Sequence, residues 1–590
     1  MNEKNSSTRT HFAYIEWFSK HARTLTFIAY LAVIALVMCF HEPWFDEAQS
    51  WLIARDSSFT DLLLLRPHYE GHPPLWTLLL SIPAKTGVPY EIGLKSIQFL
   101  CSALFGGWLI FKSPFNRTAT LLLPFTYFVC FQYGVTARPY ALLCAGLLMS
   151  ASYWKNRNSE PWKLSLTLVF LCLISAYGIA LAAGFALAWI LQAILSSGIQ
   201  KVFKEITCNT QRFICWILIA IVGVLNTVCI WPASDAFATR PTHDGNSKII
   251  QWLSFIFVMP SESAFTSFSN DVSLRRMSLS VLATLICVII SLIMWIFVIR
   301  ISSTRHTLST LILPYLMLSI VATKYFTLHH SGIVFTFFIA QIWICVSQSP
   351  LELKDIPGFI RNLCKCSKSN TESNTELTLD SSSNLSESSN LSSSRCVRCT
   401  RYASRTISRI LILVLLLPSI IWNVCACVND IRFDYSGSRA LANYISKNNA
   451  YNKRWMGSWL HTEAITDSKG NSISPETNDL RQYSWQLVTA NPYFAKNLIS
   501  CSHKNSSFIT NELPTQQQSD EDMSSCSSKK EPDYFVTSSN EPWYYFLALN
   551  YNISHYKKQD IAQIETAWKS KLIPGKVTVY KRGNPKSFIK

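Results

Sequence analysis

Charge is what this chain has least of. Only 15% of its 590 residues are charged and 49% are hydrophobic, whereas a soluble protein carries roughly 25% charged residues. The deficit excludes a string of soluble domains. It is concentrated in uncharged runs such as "TLTFIAYLAVIALVMCF" (24–40) and "SVLATLICVIISLIMWIFVI" (280–299), each near the roughly 17–25 residues that cross a bilayer. A small-residue cleavage site is missing after the first run, where "HEPWFDE" follows, so that run reads as a span and not a removed signal peptide. No internal repeat is visible. A disulfide framework is missing too, because Cys101, Cys130, Cys144, Cys172 and Cys287 lie inside apolar runs, where cysteine behaves as a small apolar residue. The net charge of +17 does not indicate nucleic acid, since the basic residues sit mainly between the runs.

The placement of those basic residues gives a topology. Cytoplasmic loops are enriched in Lys and Arg, and Lys4, Arg9, Lys20 and Arg23 put the N-terminus inside. About eleven spans then alternate: 24–40, 94–111, 118–135, 139–154, 163–176, 178–197, 213–231, 278–299, 309–325, 331–347 and 410–428. The inward turns collect Lys112, Arg117, Lys155, Arg157, Lys201, Lys204, Arg300 and Arg305, and the loop 349–409 is the most basic. The outer side receives the loop 41–93, the loop 232–277 and the tail 429–590. The expected protein is an α-helical, multi-pass membrane protein, 24–428, with a short cytoplasmic N-terminus, 1–23, and an extracytoplasmic α/β tail domain.

The cytoplasmic loop holds a Ser/Asn-rich insert, 367–394, with too little apolar surface to order itself. Cys364, Cys366, Cys396 and Cys399 flank it. Their spacing admits a zinc site, although a palmitoylated or incidental Cys-rich loop is the simpler reading. In the tail, 436–449 and 561–572 read as helices, 533–539 and 576–582 as strands, and 511–530 as a mobile loop.

Polar groups cluster at the outer boundary. "HEPWFDEAQSWLIARDSS" (41–58) sets Asp46 and Glu47 in the first turn of a helix that Pro43 helps to start, with Glu47, Trp51 and Arg55 on one face. Acidic residues also suit a first turn for dipole reasons alone. "HYEGHPPLWTLLL" (68–80) brings His68, Glu70 and His72 to the start of an apolar stretch, 75–83, too short to span. A plain turn explains its prolines but not His72. "YGVTARPYALL" (133–143) puts Arg138 and Tyr140 on an outward hairpin where positive charge is scarce. A guanidinium fork there suits a phosphate, or snorkels to lipid headgroups. Tyr177, Lys324, His329 and His330 fall at later outward turns.

The ordered set "DEAQSWLIARD", "EGHPPLW", "ARPYAL" resembles the integral-membrane GT-C glycosyltransferases, in the bacterial branch related to protein O-mannosyltransferases and the lipid A aminoarabinose transferase. The likeness covers about residues 24–200, and the later spans loosely. It implies an inverting sugar transfer from a polyprenyl-phosphate donor to a cell-envelope glycan, lipid or protein, with membrane lipids as surroundings and no nucleic acid. Asp46 occupies the position of the base, with Glu47 as its partner. Arg55, His72, Arg138, Tyr140, Tyr177, Lys324, His329 and His330 become substrate-binding candidates. Some relatives use a divalent cation near the acidic loop, for which His68, Glu70 and His72 are the candidate ligands; nothing in the sequence requires one. The alternatives are a transporter, which the absence of repeats and the boundary position of the polar groups disfavour, and a non-catalytic scaffold whose tail binds a partner.

Overall fold

The computed structural model describes residues 3–197, 210–239, 246–269, 273–351, 355, 412–413, 415–457, 485–499, 506–512, 531–538, 552–569 and 571–583. The Ser/Asn-rich insert, its four flanking cysteines and most of the stretch 511–530 lie outside these residues.

The chain opens with α1 (Glu3–Phe40), α2 (Phe45–Asp56), α3 (Arg66–Glu70), α4 (Leu75–Lys85), α5 (Tyr90–Lys112) and α6 (Arg117–Leu122). It continues through α7 (Tyr140–Tyr153), α8 (Pro161–Cys172), α9 (Ala176–Ser197) and α10 (Thr210–Cys229), then α11 (Lys248–Phe257), α12 (Met259–Ala264), α13 (Val281–Thr304), α14 (Leu308–Ala322) and α15 (Ser331–Gln348). After α16 (Leu415–Arg432) comes the tail, with α17 (Ser438–Lys447), β1 (Trp455–Gly457), α18 (Trp485–Ala490), β2 (Tyr534–Ser538), β3 (Tyr556–Trp568) and β4 (Lys571–Arg582).

Seven stretches among the described residues are helical, long and apolar enough to cross a bilayer: Lys20–Phe40, Tyr90–Lys112, Ala176–Ser196, Thr210–Cys229, Val281–Thr304, Leu328–Gln348 and Leu415–Arg432. Leu328–Gln348 is almost wholly enclosed by its neighbours, whereas α13 exposes Val281, Leu282, Leu285, Ile289 and Ile296. Apolar side chains left uncovered along a whole helix suit lipid and not water. The other four expected spans are shorter or broken. α7, with 14 residues, is about 21 Å long against a hydrocarbon core of about 30 Å.

The stretch 118–135 is the most irregular. α6 gives way at Pro124 to a 3-10 turn, Leu123–Phe125, and then to a π turn, Phe128–Gln132. Pro124 cannot extend an α-helix, and the chain packs too tightly afterwards for any side chain at Gly134, where a Cβ would lie 1.9 Å from the Cys130 carbonyl oxygen. Carbonyls released by such a break need donors from the protein itself. Tyr30 Oη donates to Val129 O (3.1 Å), Gln98 Nε2 to Tyr133 O (2.7 Å) and Ser102 Oγ to Gly134 O (2.7 Å). α1 and α5 thereby hold the hairpin that carries Arg138.

The tail contains a four-stranded sheet of order β1-β2-β4-β3, with β1 parallel to β2 and the other pairs antiparallel. β2 and α17 fall where the sequence places them, and β4 extends the expected strand 576–582. The stretch 561–572 is not a helix. Its residues form most of β3, paired with β4 across a long hairpin. Cross-strand pairing overrides a helix-friendly composition here, and only Ala567 and Trp568 of the stretch Ile561–Trp568 are buried. The tail's core includes Leu441, Ile445, Trp455, Leu487, Val536, Val577 and also Leu52 of α2, so the acidic loop and the tail share apolar packing.

The tip of the β3–β4 hairpin is keyed into the helices. The Trp568 ring meets Tyr127 and Phe128 at centroid distances of 5.8 and 6.4 Å. Fully buried Lys569 donates to the carbonyls of Glu262 (2.5 Å) and Thr266 (2.6 Å), lies 3.9 Å from the Glu262 carboxylate and sits 4.6 Å from the Trp422 ring centroid. Burial draws the Lys569 pKa down to about 8 although Glu262 opposes it. Breaking a buried pair by neutralising one partner costs about 3–5 kcal/mol. Glu262→Gln is therefore expected to lower the thermal midpoint in detergent. Combining it with Lys569→Met should cost less than the two single changes summed, as a double-mutant cycle on unfolding will measure.

Candidate functional site

Two short pieces of chain meet at the site. The first is the start of α2. Glu47, at the third position of the helix, reaches back to accept from the N-cap amide of Trp44 (2.9 Å), the reciprocal half of a capping arrangement. The same carboxylate accepts the Ala137 amide at 2.6 Å and faces His41 Nε2 at 3.2 Å. Glu47 is 1% exposed, and its oxygens are committed to these partners. Asp46, one residue earlier, keeps 25% of its side chain exposed. Of the two neighbouring carboxylates, only Asp46 is open to a substrate.

The second piece is the hairpin after the broken stretch. The bond from Ala137 to Glu47 fixes the backbone immediately before Arg138, and Pro139, with φ −64°, starts α7. Arg138 Nη1 then lies 3.2 Å from Asp46 Oδ2. Its Cζ stands 5.6 Å from the Tyr140 ring centroid. The Tyr140 hydroxyl is 2.6 Å from His330 Nε2. The Thr327 amide donates to His330 Nδ1 (2.9 Å), so in the neutral ring the proton resides on Nε2 and is given to Tyr140. Tyr140 therefore accepts from the histidine and retains its own O–H for a third group.

Around this pair stand buried nitrogens without a protein partner. His72 Nδ1, Arg138 Nε and Trp44 Nε1 are buried and make no hydrogen bond within the protein, a rare condition for such atoms. Burial holds His72 down to about 3, reinforced by the positive Arg138 and by His329, so its imidazole is neutral across the physiological range. Glu70 behaves in the opposite sense. Burial raises its carboxyl to about 7 with help from Asp46, while Gln49 (3.4 Å) and Asn511 (3.0 Å) donate to it.

The sequence candidates divide accordingly. Asp46, Arg138, Tyr140 and His330 form one connected group, with His72 and His329 beside it and the Trp44 ring 6.0 Å from His329. Tyr177 is a prop: its hydroxyl donates to Tyr325 O (2.6 Å) and its ring packs 5.0 Å from His330. Arg55 is directed elsewhere, chelating Asp56 and donating to Phe494 O at 3.1 Å in the tail. Lys324 is exposed, and its charged neighbour is Lys248. The three candidate cation ligands are split: His68 Nδ1 meets Trp231 O at 2.6 Å, Glu70 is held by Asn511, and His72 lies toward Arg138. Among the described residues no three His, Cys, Asp or Glu side chains gather as a metal-ligand set.

Sequence reasoning passes over His41 and Asp430, whose contacts secure Glu47, and over Asn511 of the tail. Asp430 carried a signal, as a carboxylate in the last apolar helix. Asn511 carried none.

Glu70 yields a pH prediction. A carboxyl raised from 4.5 to about 7 by burial favours the folded state fully below pH 4.5, and that contribution is lost as pH rises through 7, because the unfolded chain ionises first. Thermal midpoints in detergent should contain a component that falls between pH 4.5 and 7, and Glu70→Gln should remove it.

The chain matches no family model, no curated protein and no solved structure.

Proposed function

We propose that this protein is a membrane glycosyltransferase of GT-C type that moves a sugar, with inversion, from a polyprenyl-phosphate donor to an extracytoplasmic acceptor. In this reading the four shorter or broken segments complete an eleven-span topology, with the N-terminus cytoplasmic and the tail on the outer side of a plasma membrane. The observation that carries it is the Asp46–Arg138 pair at 3.2 Å, an open carboxylate against a cation, beside the unpartnered nitrogens of His72, Trp44 and Arg138 itself.

The chemistry follows from that pairing. A phosphate arriving at the pair competes with Asp46 for Arg138, and a guanidinium fork accommodates it well. Arg138 exchanges one acidic partner for another, and Asp46 is released to act as a base. The acceptor hydroxyl gives its proton to Asp46 as its oxygen bonds to the anomeric carbon. The carbon–oxygen bond to phosphate breaks on the opposite face, and its electron pair leaves with the lipid phosphate. Arg138, the Tyr140 O–H and the neutral His72 ring supply donors as that charge develops.

The broken stretch 118–135 also suits a transporter, whose sites use interrupted helices. A transfer assay separates the readings. Purified wild type, Asp46→Asn and Arg138→Ala are incubated with radiolabelled polyprenyl-phosphate sugars and a cell-envelope extract. Wild type should move label from lipid to acceptor. Removing the base should slow transfer about 10²–10⁴-fold, and removing the cation about 10²–10³-fold. Folded wild type that transfers nothing from any donor overturns the proposal.

A further inference from the structure

The carboxylate that fixes Arg138 is itself fixed from the far end of the helical domain. His41 is the first residue after α1 and is 1% exposed. Its Nδ1 lies 2.9 and 3.1 Å from the two oxygens of Asp430, near the end of α16, and its Nε2 lies 3.2 Å from Glu47 Oε2. A neutral imidazole has one N–H and cannot donate to both carboxylates; an imidazolium can. Burial works against the charge, but Asp430 and Glu47 outweigh it and raise the pKa to about 10. The other groups near His41 are consistent with a fixed ring. Lys95 Nζ and Arg439 Nη2 both donate to its carbonyl at 2.7 Å, and the Tyr435 ring stands 5.2 Å away.

A continuous path results, from Asp430 to His41, to Glu47, to the Ala137 amide, and so to Arg138 and Asp46. The path begins where the tail begins. Beyond α16, the amides of Ser436, Gly437 and Arg439 donate to Glu42 at 2.7, 2.7 and 2.6 Å, one residue from His41. Seating of the tail and placement of the hairpin are therefore decided at adjacent residues.

We infer that His41 and Asp430 are positioning residues for the site, acting through Glu47 to set Arg138 against Asp46, and that Glu47 is a positioning residue and not a second base. The inference rests on the reading of Arg138 as the phosphate-binding cation. It makes that cation's affinity for phosphate depend on a carboxylate that touches neither substrate nor Arg138.

The test is a double-mutant cycle on binding of undecaprenyl phosphate, read by microscale thermophoresis in detergent. It compares wild type, Asp430→Asn, Arg138→Ala and the double variant, with Asp430→Glu as the conservative control. Asp430→Asn should weaken binding about fivefold, Asp430→Glu should restore most of it, and Asp430→Asn should add nothing once Arg138 is gone. Equal weakening in both backgrounds, or none in either, overturns the inference. Wild type that does not bind the probe counts against the proposed function, and the positioning path is then decided by hydrogen exchange. Faster exchange of the Ala137 amide in Asp430→Asn, with α15 unchanged, supports it. Unchanged exchange at Ala137 overturns it.

Discussion

A packed helical interior offers no water to a carbonyl that has lost its helical partner, so a chain that interrupts a helix there must supply donors from its own side chains. Tyr30, Gln98 and Ser102 do so for the carbonyls of Val129, Tyr133 and Gly134. The hairpin that carries Arg138 exists because α1 and α5 place polar groups where the broken stretch needs them. The same requirement explains why Gln98 and Ser102 sit fully buried along α5: a buried donor is expensive unless it is used. The geometry of the site thus follows from a backbone constraint several residues away from it.

Much of this was legible in the sequence, and the limits are physical. α2 begins where Pro43 and the acidic pair indicate, the stretch after the paired prolines is the short helix α4, and Arg138 stands at a hairpin. These features depend on local chemistry, such as caps, prolines and one charge in an apolar boundary. The run 118–135 is uncharged, and although Pro124 marks a break in it, hydropathy cannot register donors that come from other helices. Residues 561–572 have a helical composition, and only the partner strand makes them β. Arg55 and Lys324 share the positive charge of Arg138 but not its surroundings. One is taken by Asp56 and the tail, and the other is exposed. Spacing along the chain does not record which cation is enclosed.

The tail is joined to the helical domain by several dissimilar attachments. Glu42 accepts from three backbone amides at the entry to α17, and Arg439 binds Glu91 and the carbonyls of Phe40 and His41. Gln49 pairs with both backbone groups of Ile509 (2.6 and 3.0 Å), and Asn511 reaches Glu70. Leu52 belongs to the tail's own apolar core. Polar groups that would be costly to bury singly are satisfied here by backbone of the other part, so the two parts do not separate without exposing them.

The keyed hairpin bears on the order in which the molecule is completed. Glu262, Tyr127 and Trp422 belong to three distant parts of the helical domain, and Lys569 and Trp568 reach all of them. Translation delivers those two residues after every helix described here. Until then Glu262 is without that cation. The hairpin tip thus ties the last-made part of the chain to three stretches made long before it, and a chain cut short of Lys569 leaves Glu262 without its charge partner.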